Sequence, residues 1–219
     1  MVADQAFRPD LQAFKCDSCH AELSGALAPH LCASCGAPQA PKSGETFFTA
    51  LSAPLKFEQD LALLQKRFYE LSRALHPDRF ARAEAAWRQS SLERMSFLNE
   101  AFEFLKSRGL LREHFFSSFG IACGGGGGMW MMELSERWFE VQETESAQAI
   151  TEFEAELKHK QEFLISKIQG LEERFDRLEA HDPQARQVLE EIQSHSLSQN
   201  TLKSMIRDVL RLKARMGIG

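Results

Sequence analysis

Four of the five cysteines lie near the amino terminus and are spaced for metal coordination. Cys16 and Cys19 form one C-x2-C pair, and Cys32 and Cys35 form a second pair after a loop of twelve residues. Two such pairs supply the four thiolates of a tetrahedral site, so the spacing favours a structural zinc ion. A rubredoxin-like iron centre or a redox-active pair of dithiols uses the same residues, and the spacing leaves both open.

The cysteine segment, residues 1–40, is expected to need a bound metal to fold. A segment of about 40 residues buries too little apolar surface to fold alone, so metal binding would supply the free energy. His20 and His30 are close enough in sequence to replace a thiolate, but four cysteines already complete the shell. We therefore expect both histidines to lie outside the ligand set, and we expect no catalysis at a site without an open position.

A second polar group, His76-Pro77-Asp78, follows an amphipathic segment. Three- and four-residue steps predict a helix over 57–75 whose buried face contains Leu61, Leu64, Phe68, Leu71 and Leu75. Pro77 lacks a backbone donor and disfavours helical geometry at His76, so the tripeptide forms an exposed corner. A hydrolytic role for His76 with Asp78 is not favoured, because no nucleophile lies nearby in sequence and no strand is predicted.

A second helix is predicted after the corner, from near Ala83 to near Gly109. Its apolar side consists of Trp87, Ser91, Met95, Leu98, Phe102 and Leu105. Basic residues line the outer face of the first helix and the corner, namely Lys66, Arg67, Arg73, Arg79 and Arg82. Most basic helix faces are simply solvated, and the tripeptide between two antiparallel helices makes this face a candidate binding surface.

A basic helix, a His-Pro-Asp corner and an antiparallel return helix resemble the J-domain. This is the module with which DnaJ-type co-chaperones stimulate ATP hydrolysis by DnaK-type heat-shock chaperones. Residues 47–51, 57–58, 75–80 and 98–102 are similar to the J-domain of HscB, the co-chaperone dedicated to iron–sulfur cluster biogenesis. Some HscB-like proteins, including the mitochondrial form in animals, carry a similar tetracysteine module ahead of the J-domain.

The resemblance implies roles for the corner and the basic face. His76, Pro77 and Asp78 would trigger hydrolysis by contacting the chaperone and not ATP. The residues that would dock on an acidic chaperone surface are Lys66, Arg67, Arg73 and Arg79.

Two segments rich in small residues are expected to separate domains. Residues 36–45 are interpreted as a linker between the cysteine module and a J-domain over 46–119, which would begin with a short helix over 47–51 and end with one over 110–119. Cys123 and the five glycines 124–128 indicate a hinge, since glycine in a helix costs about 1 kcal/mol relative to alanine. No Lys-Ser or Lys-Thr pair follows these glycines, which argues against a phosphate-binding loop.

From residue 129 onward the pattern is helical. Breaks near 144–147 and 181–183 predict helices over 130–143, 146–179 and 183–215, with a candidate bend at His195-Ser196. Near-heptad spacing of apolar residues favours packing in a small bundle over 129–219. The whole chain is predicted to be all-α, with a J-domain helical hairpin, a carboxy-terminal three-helix bundle and a small amino-terminal zinc-knuckle module.

The start of the bundle is acidic, with nine glutamates and three basic residues between Glu133 and Glu162. Most of these glutamates are expected to be solvated. Residues 129–136 are similar to an HscB motif in which an apolar pair precedes Glu-Leu-x-Glu, and the resemblance implies that this helix binds the iron–sulfur scaffold protein. The matching residues are Met129, Met132, Glu133, Glu136 and Glu140. The glycines before the motif, and Ser135 where the family often has arginine, depart from the family pattern.

Composition disfavours several classes of function. A net charge of −5 and a pI near 5.8 disfavour nucleic-acid binding, as does the absence of lysine and arginine from residues 20–31. No apolar run approaches the roughly 18 residues of a membrane span. The amino terminus fits neither a secretory signal nor an arginine-rich transit peptide, so the expected location is cytoplasmic, or the mitochondrial matrix if a leader has been removed.

The residues and the resemblance together predict a co-chaperone and not an enzyme. It would stimulate the ATPase of a DnaK-type (HscA-like) chaperone and deliver an iron–sulfur scaffold protein (IscU-like) to it. Zinc would be its structural metal, and the chain itself would bind no nucleotide. The alternative is a general J-domain co-chaperone for a different client, which would keep the basic helix and the corner but lack affinity for the scaffold.

Overall fold

The computed structural model describes residues 14–23, 29–121, 129–179 and 182–218. Within these ranges the predicted all-α class is confirmed, and the β-structure consists of two isolated bridges, Lys15 with Glu22 and Leu31 with Pro38. The chain divides into two compact units, Met1–His114 and Phe115–Gly219. None of the described helices is both long and apolar enough to cross a membrane. The predicted hinge, Cys123 with glycines 124–128, lies outside the described residues.

The first unit contains the cysteine pairs and the predicted hairpin. Its helices are α1 (Phe47–Ala50), α2 (Leu61–Leu75) and α3 (Ala85–Lys106), with a 3₁₀ turn over Pro77–Phe80 between α2 and α3. Helix α2 begins later than predicted because Asp60 accepts a hydrogen bond from the N–H of Leu63 at 2.9 Å and caps the helix there. The preceding loop still contributes to the core through Phe57, which is fully buried.

The facing sides of α2 and α3 form the core of the hairpin. Five leucines at the predicted positions are buried, namely Leu64, Leu71, Leu75, Leu98 and Leu105. Phe68 stacks on Phe102 with ring centroids 4.6 Å apart. The prediction for Leu61 is wrong, because this residue opens α2 and is 55% exposed.

The remaining helices are α4 (Arg108–Ser118), α5 (Met129–Thr144), α6 (Ala147–Asp176) and α7 (Gln184–Met216). The three predicted bundle helices are confirmed, and the largest shift is at the end of α6. Helix α7 continues through His195-Ser196 without interruption, and the Ser196 hydroxyl donates there to the carbonyl of Ile192 at 2.7 Å. The bundle core contains Leu134, Ile150, Phe153, Leu157, Leu202 and Val209.

One buried carboxylate joins α6 to α7. Glu154 is 7% exposed and pairs with Lys158 at 2.5 Å and with Lys213 at 2.8 Å. The hydrogen bonds from Lys158 and Lys213 hold the pKa of Glu154 below its ordinary value of 4.5. Because the folded-state pKa is lowered, this stabilisation is present above pH 4.5 and is lost as the pH falls through the lowered pKa.

Replacing Glu154 by glutamine is expected to lower the free energy of unfolding by about 1.5–3 kcal/mol at neutral pH, because the carboxylate that pairs with two lysines becomes a neutral amide. Urea unfolding at several pH values checks this, and the difference from the wild type should shrink below pH 4.5. Glu162→Gln, an exposed change on the same helix, is the control and should alter stability by less than about 0.5 kcal/mol. A difference that does not vary with pH would contradict the role of the Glu154 carboxylate.

Candidate functional site

The two cysteine pairs fold into matching loops. The N–H of His20 donates to the carbonyl of Cys16 at 3.0 Å, and the N–H of Gly36 donates to the carbonyl of Cys32 at 2.9 Å. The fourth residue after each first cysteine has a left-handed backbone, with φ of 59° at His20 and 78° at Gly36. Glycine adopts this conformation without a Cβ penalty, whereas histidine does so at some cost. The two loops therefore repeat one backbone geometry.

The four thiols meet at one point. The Sγ atoms of Cys16, Cys19, Cys32 and Cys35 all lie within 4.8 Å of one another, with Cys16–Cys35 at 3.6 Å and Cys19–Cys32 at 3.7 Å. Tetrahedral zinc–thiolate bonds of about 2.3 Å place sulfur atoms about 3.8 Å apart, so the cluster fits a metal ion such as zinc. A hydrogen bond from the backbone of Cys35 lowers the pKa of the Cys32 thiol to about 6, whereas burial and the neighbouring thiols raise the pKa of Cys35 to about 12. Without an ion the four thiols therefore do not all favour the thiolate, and metal binding would release protons from the cluster.

Among the described residues, the cluster contains no histidine. His20 is exposed at its loop corner. His30 is 4% exposed and its Nδ1 has no hydrogen-bond partner. Burial, with a smaller contribution from the positive charge of Arg94, lowers the pKa of His30 to about 3, so this side chain is neutral.

Residues 36–45, interpreted from the sequence as a linker, instead pack against α3. Arg94 is fully buried, and its Nε and Nη2 donate to the carbonyls of Gln39 and Ala40, each at 2.8 Å. Its Nη1 pairs with Glu45 at 2.5 Å. Sequence patterning missed this contact because arginine is ordinarily exposed. The burial of Arg94 was nevertheless indicated by its position in the sequence. It precedes the buried Leu98 by four residues and so lies on the same helix face.

The His-Pro-Asp corner is exposed at the end of α2. The side chains of His76 and Asp78 are 56% and 90% exposed. The His76 Nδ1 accepts a hydrogen bond from the N–H of Asp78 at 3.3 Å, which orients the imidazole. Phe80, the last residue of the 3₁₀ turn, is buried and fixes the turn to the hairpin.

Two of the predicted basic residues lie beside the corner. Arg73, His76 and Arg79 line one surface depression together with Tyr69 and Ser72, which sequence analysis did not select. The Arg79 Nη1 donates to the carbonyl of Arg73 at 3.3 Å, so the residues before and after the corner are in contact. The depression therefore combines positive charge with an aromatic ring.

The other two basic residues of the predicted set are placed differently. Lys66 is exposed earlier on α2. Arg67 donates from Nη1 to the carbonyls of Leu51 at 3.2 Å and Ser52 at 2.5 Å. These bonds hold the loop after α1, so Arg67 has a structural contact in addition to its predicted docking role.

The predicted scaffold-binding residues lie on α5. Met132 is 67% exposed, and Glu133, Glu136 and Glu140 are also exposed. Phe139, which sequence analysis missed, is 66% exposed and follows Met132 by seven residues, so it lies on the same helix face. The seven-residue step from Met132 is the sequence feature that could have identified Phe139 as part of this face. The side chain of Met129 lies outside the described residues.

No family model matches the chain. Among curated proteins it is similar to the co-chaperone protein HscB homolog of Shewanella halifaxensis, with 36% identity over 75 residues, and the match covers 34% of this chain and 43% of that relative. The chain thus matches less than half the length of this bacterial relative. The mouse iron-sulfur cluster co-chaperone protein HscB is 26% identical over 171 residues, covering 74% of this chain and 72% of the mouse protein. The human protein of that name is 28% identical over 156 residues, covering 69% of this chain and 66% of the human protein.

A solved structure extends the comparison to the fold. The crystal structure of human co-chaperone protein HscB aligns with a TM-score of 0.59 and 23% sequence identity, covering 87% of this chain and 97% of that chain. At this identity the likeness concerns the fold alone. The chain is therefore similar in sequence to the HscB co-chaperones and shares the fold of the human HscB structure.

Proposed function

We propose that this protein is a J-type co-chaperone of iron–sulfur cluster biogenesis. It would stimulate the ATPase of a DnaK-type (HscA-like) chaperone and deliver an IscU-like scaffold protein to it. The observation that carries the proposal is the exposed His76-Pro77-Asp78 corner, which the buried Phe80 fixes between α2 and α3. The similarity of the chain to proteins named as iron-sulfur cluster co-chaperones supports the choice of client.

At the corner, the proposed activity is contact with a partner. The imidazole of His76 and the carboxylate of Asp78 extend into solvent beside the guanidinium groups of Arg73 and Arg79. An acidic surface on the chaperone would complement these two cations and steer the encounter. Because exposed charge pairs are screened by salt, the affinity for the chaperone is expected to fall as ionic strength rises.

On α5, the proposed scaffold surface combines two apolar side chains with carboxylates. Met132 and Phe139 are both about two-thirds exposed and lie seven residues apart on one face of α5, so both side chains are accessible to a partner. Glu136 and Glu140 lie on the same face, four and eight residues after Met132. Basic groups around an apolar patch on the scaffold would match this arrangement.

At the cysteine cluster, we propose a structural zinc ion held by Cys16, Cys19, Cys32 and Cys35. A four-thiolate zinc site has no open coordination position, so the metal would join the two loops without taking part in catalysis. Elemental analysis of the purified chain is expected to give about one zinc per chain. Iron in place of zinc, or a metal-free preparation in which residues 29–40 keep slow amide exchange, would contradict this assignment.

The experiment that tests the function is the steady-state ATPase of the chaperone with this protein, with the scaffold, and with both. Stimulation by the two together is expected to exceed the sum of their separate effects.

Glu136→Lys combined with Glu140→Lys should weaken scaffold binding by about tenfold or more, or 1.4 kcal/mol. Stimulation by this variant alone should equal that of the wild type, because the corner lies in the first unit.

The matched control is Glu173→Lys, which reverses an exposed charge on α6 and should leave the synergy unchanged. Stimulation that the scaffold does not increase, in the wild type, would contradict the proposed client. The general J-domain co-chaperone with a different client would then be the better account.

A further inference from the structure

The tetracysteine cluster and the His-Pro-Asp corner are connected through side chains of the first unit. The first connection is Gln39, which is fully buried. Its Nε2 donates to the Cys16 Sγ at 3.4 Å, and its Oε1 accepts from the N–H of Asp17 at 2.9 Å. The carbonyl of Gln39 accepts from Arg94 of α3. One residue therefore contacts both a metal-binding thiol and the hairpin.

The second connection leads from the first cysteine loop to the corner. Trp87, in the first turn of α3, donates from Nε1 to the hydroxyl of Ser18 at 3.0 Å, and Ser18 lies between Cys16 and Cys19. The Trp87 ring contacts the ring of Phe80 edge-on, with centroids 6.4 Å apart. Because Phe80 closes the 3₁₀ turn that begins at Pro77, two side-chain contacts separate the cysteine loop from the corner.

The cysteine loops bury little apolar surface of their own. Their buried apolar cluster consists of Cys16, Cys32 and Ala37, with Leu23, Cys35 and Trp87 packed against it. So small a cluster supplies little folding free energy without a bound ion. Helix α3 also lacks a side-chain cap at Glu84, so its first turn gains little support from its own sequence. Loosening the loop that holds Ser18 would therefore remove one of the supports of Trp87.

We propose that metal occupancy of the tetracysteine cluster regulates the co-chaperone. The bound metal orders the first turn of α3 and the 3₁₀ turn, and loss of the metal loosens the corner that contacts the chaperone. The regulatory consequence rests on the proposed function, whereas the coupling between the metal site and the turn does not. The coupling is reciprocal, so a change that breaks it lowers the affinity for the metal as well.

Amide hydrogen exchange of the full-length chain tests the coupling without the chaperone. Removing zinc with a chelator is expected to speed exchange across residues 79–90 by about tenfold or more, with recovery when zinc is restored and no change in α7. Trp87→Phe keeps a ring but loses the N–H that reaches Ser18, so the response to zinc should become at least about threefold smaller. Trp138→Phe, a change at a half-buried side chain packed against the bundle core, is the matched control and should keep the wild-type response.

The reverse direction is tested at the metal. Trp87→Phe removes the N–H that reaches Ser18 but alters no cysteine, so zinc affinity measured by chelator competition should fall by about threefold or more. Gln199→Leu, at a buried position on α7, should not change it. Chaperone ATPase measured with metal-loaded and metal-free protein then tests the regulation.

Three outcomes are decisive. If the amide exchange rates of residues 79–90 are the same with and without zinc, the coupling is overturned and the proposal with it. Zinc-dependent exchange combined with equal ATPase stimulation by the two forms would overturn the regulation. If metal-loaded protein fails to stimulate the chaperone at all, the proposed function is rejected, and the exchange result still judges the coupling separately.

Discussion

The His76→Gln variant is expected to lose all measurable stimulation of the chaperone's ATPase while it keeps the fold of the wild type. The side chain is 56% exposed, and its hydrogen bond from the N–H of Asp78 is long, at 3.3 Å. The carbonyl oxygen of glutamine is able to accept that bond, so stability should change by less than about 0.5 kcal/mol. The imidazole that the partner would contact is removed, and the loss of function should therefore be separate from any loss of fold.

Steady-state ATPase and circular dichroism together check this expectation. His159→Gln replaces an exposed histidine on α6 and is the matched control, with stimulation equal to that of the wild type. If His76→Gln stimulates the chaperone as well as the wild type does, the J-type assignment fails. If the variant is unfolded, the structural description of the corner as an exposed turn is wrong.

Replacing Arg94 by methionine is expected to destabilise the first unit by about 3–5 kcal/mol, the usual cost of removing one partner of a buried ion pair. Arg94 has no exposed surface and the side chain of Glu45 is 1% exposed, so the variant leaves a buried carboxylate without its cation. The carbonyls of Gln39 and Ala40 also lose their donors.

Hydrogen exchange measured by mass spectrometry separates the two units in this test. Amides of α2 and α3 should exchange faster in Arg94→Met, while those of α6 and α7 keep their rates. Arg88→Met, an exposed change on the same helix, should have little effect. Replacing Glu45 by methionine as well should restore part of the stability, because no charge is then stranded. Wild-type exchange in Arg94→Met would show that the buried pair does not hold residues 36–45.

Local features of the sequence predicted most of the helices. The steps between Leu64, Leu71 and Leu75 depend on residues close together in the chain. The start of α6 also depends on nearby residues and was predicted to within one residue, since Ser146 is the cap and not the first helical residue. The ends were less accurate where a single side chain decides them, as Asp60 does for α2. The prediction that Leu61 is buried failed for the same reason. It assumed a helix that begins at residue 57, whereas α2 begins at Leu61 itself.

The candidate metal site followed from the sequence because its ligands are encoded by residue type and short spacing. The surfaces were less predictable. Phe139 shares an exposed face of α5 with Met132, and Tyr69 lines the depression at the corner, but neither residue type identifies a binding surface without its exposure. Arg67 illustrates the converse, since its bonds to the carbonyls of Leu51 and Ser52 depend on how the loop after α1 folds.

The sequence by itself determined the four thiols, the His-Pro-Asp corner and the helical pattern on both sides of that corner. The tertiary structure decided that residues 36–45 pack on the hairpin and that the metal site contacts α3. Those contacts join Arg94 to Gln39 and Glu45, which lie 55 and 49 residues away in the chain. The groups that accept hydrogen bonds from Arg94 are backbone carbonyls and a buried carboxylate. The spacing of residues along the chain does not predict such partners. A buried charged side chain is stable only when the fold places groups that pair with it nearby, and those groups are distant in sequence.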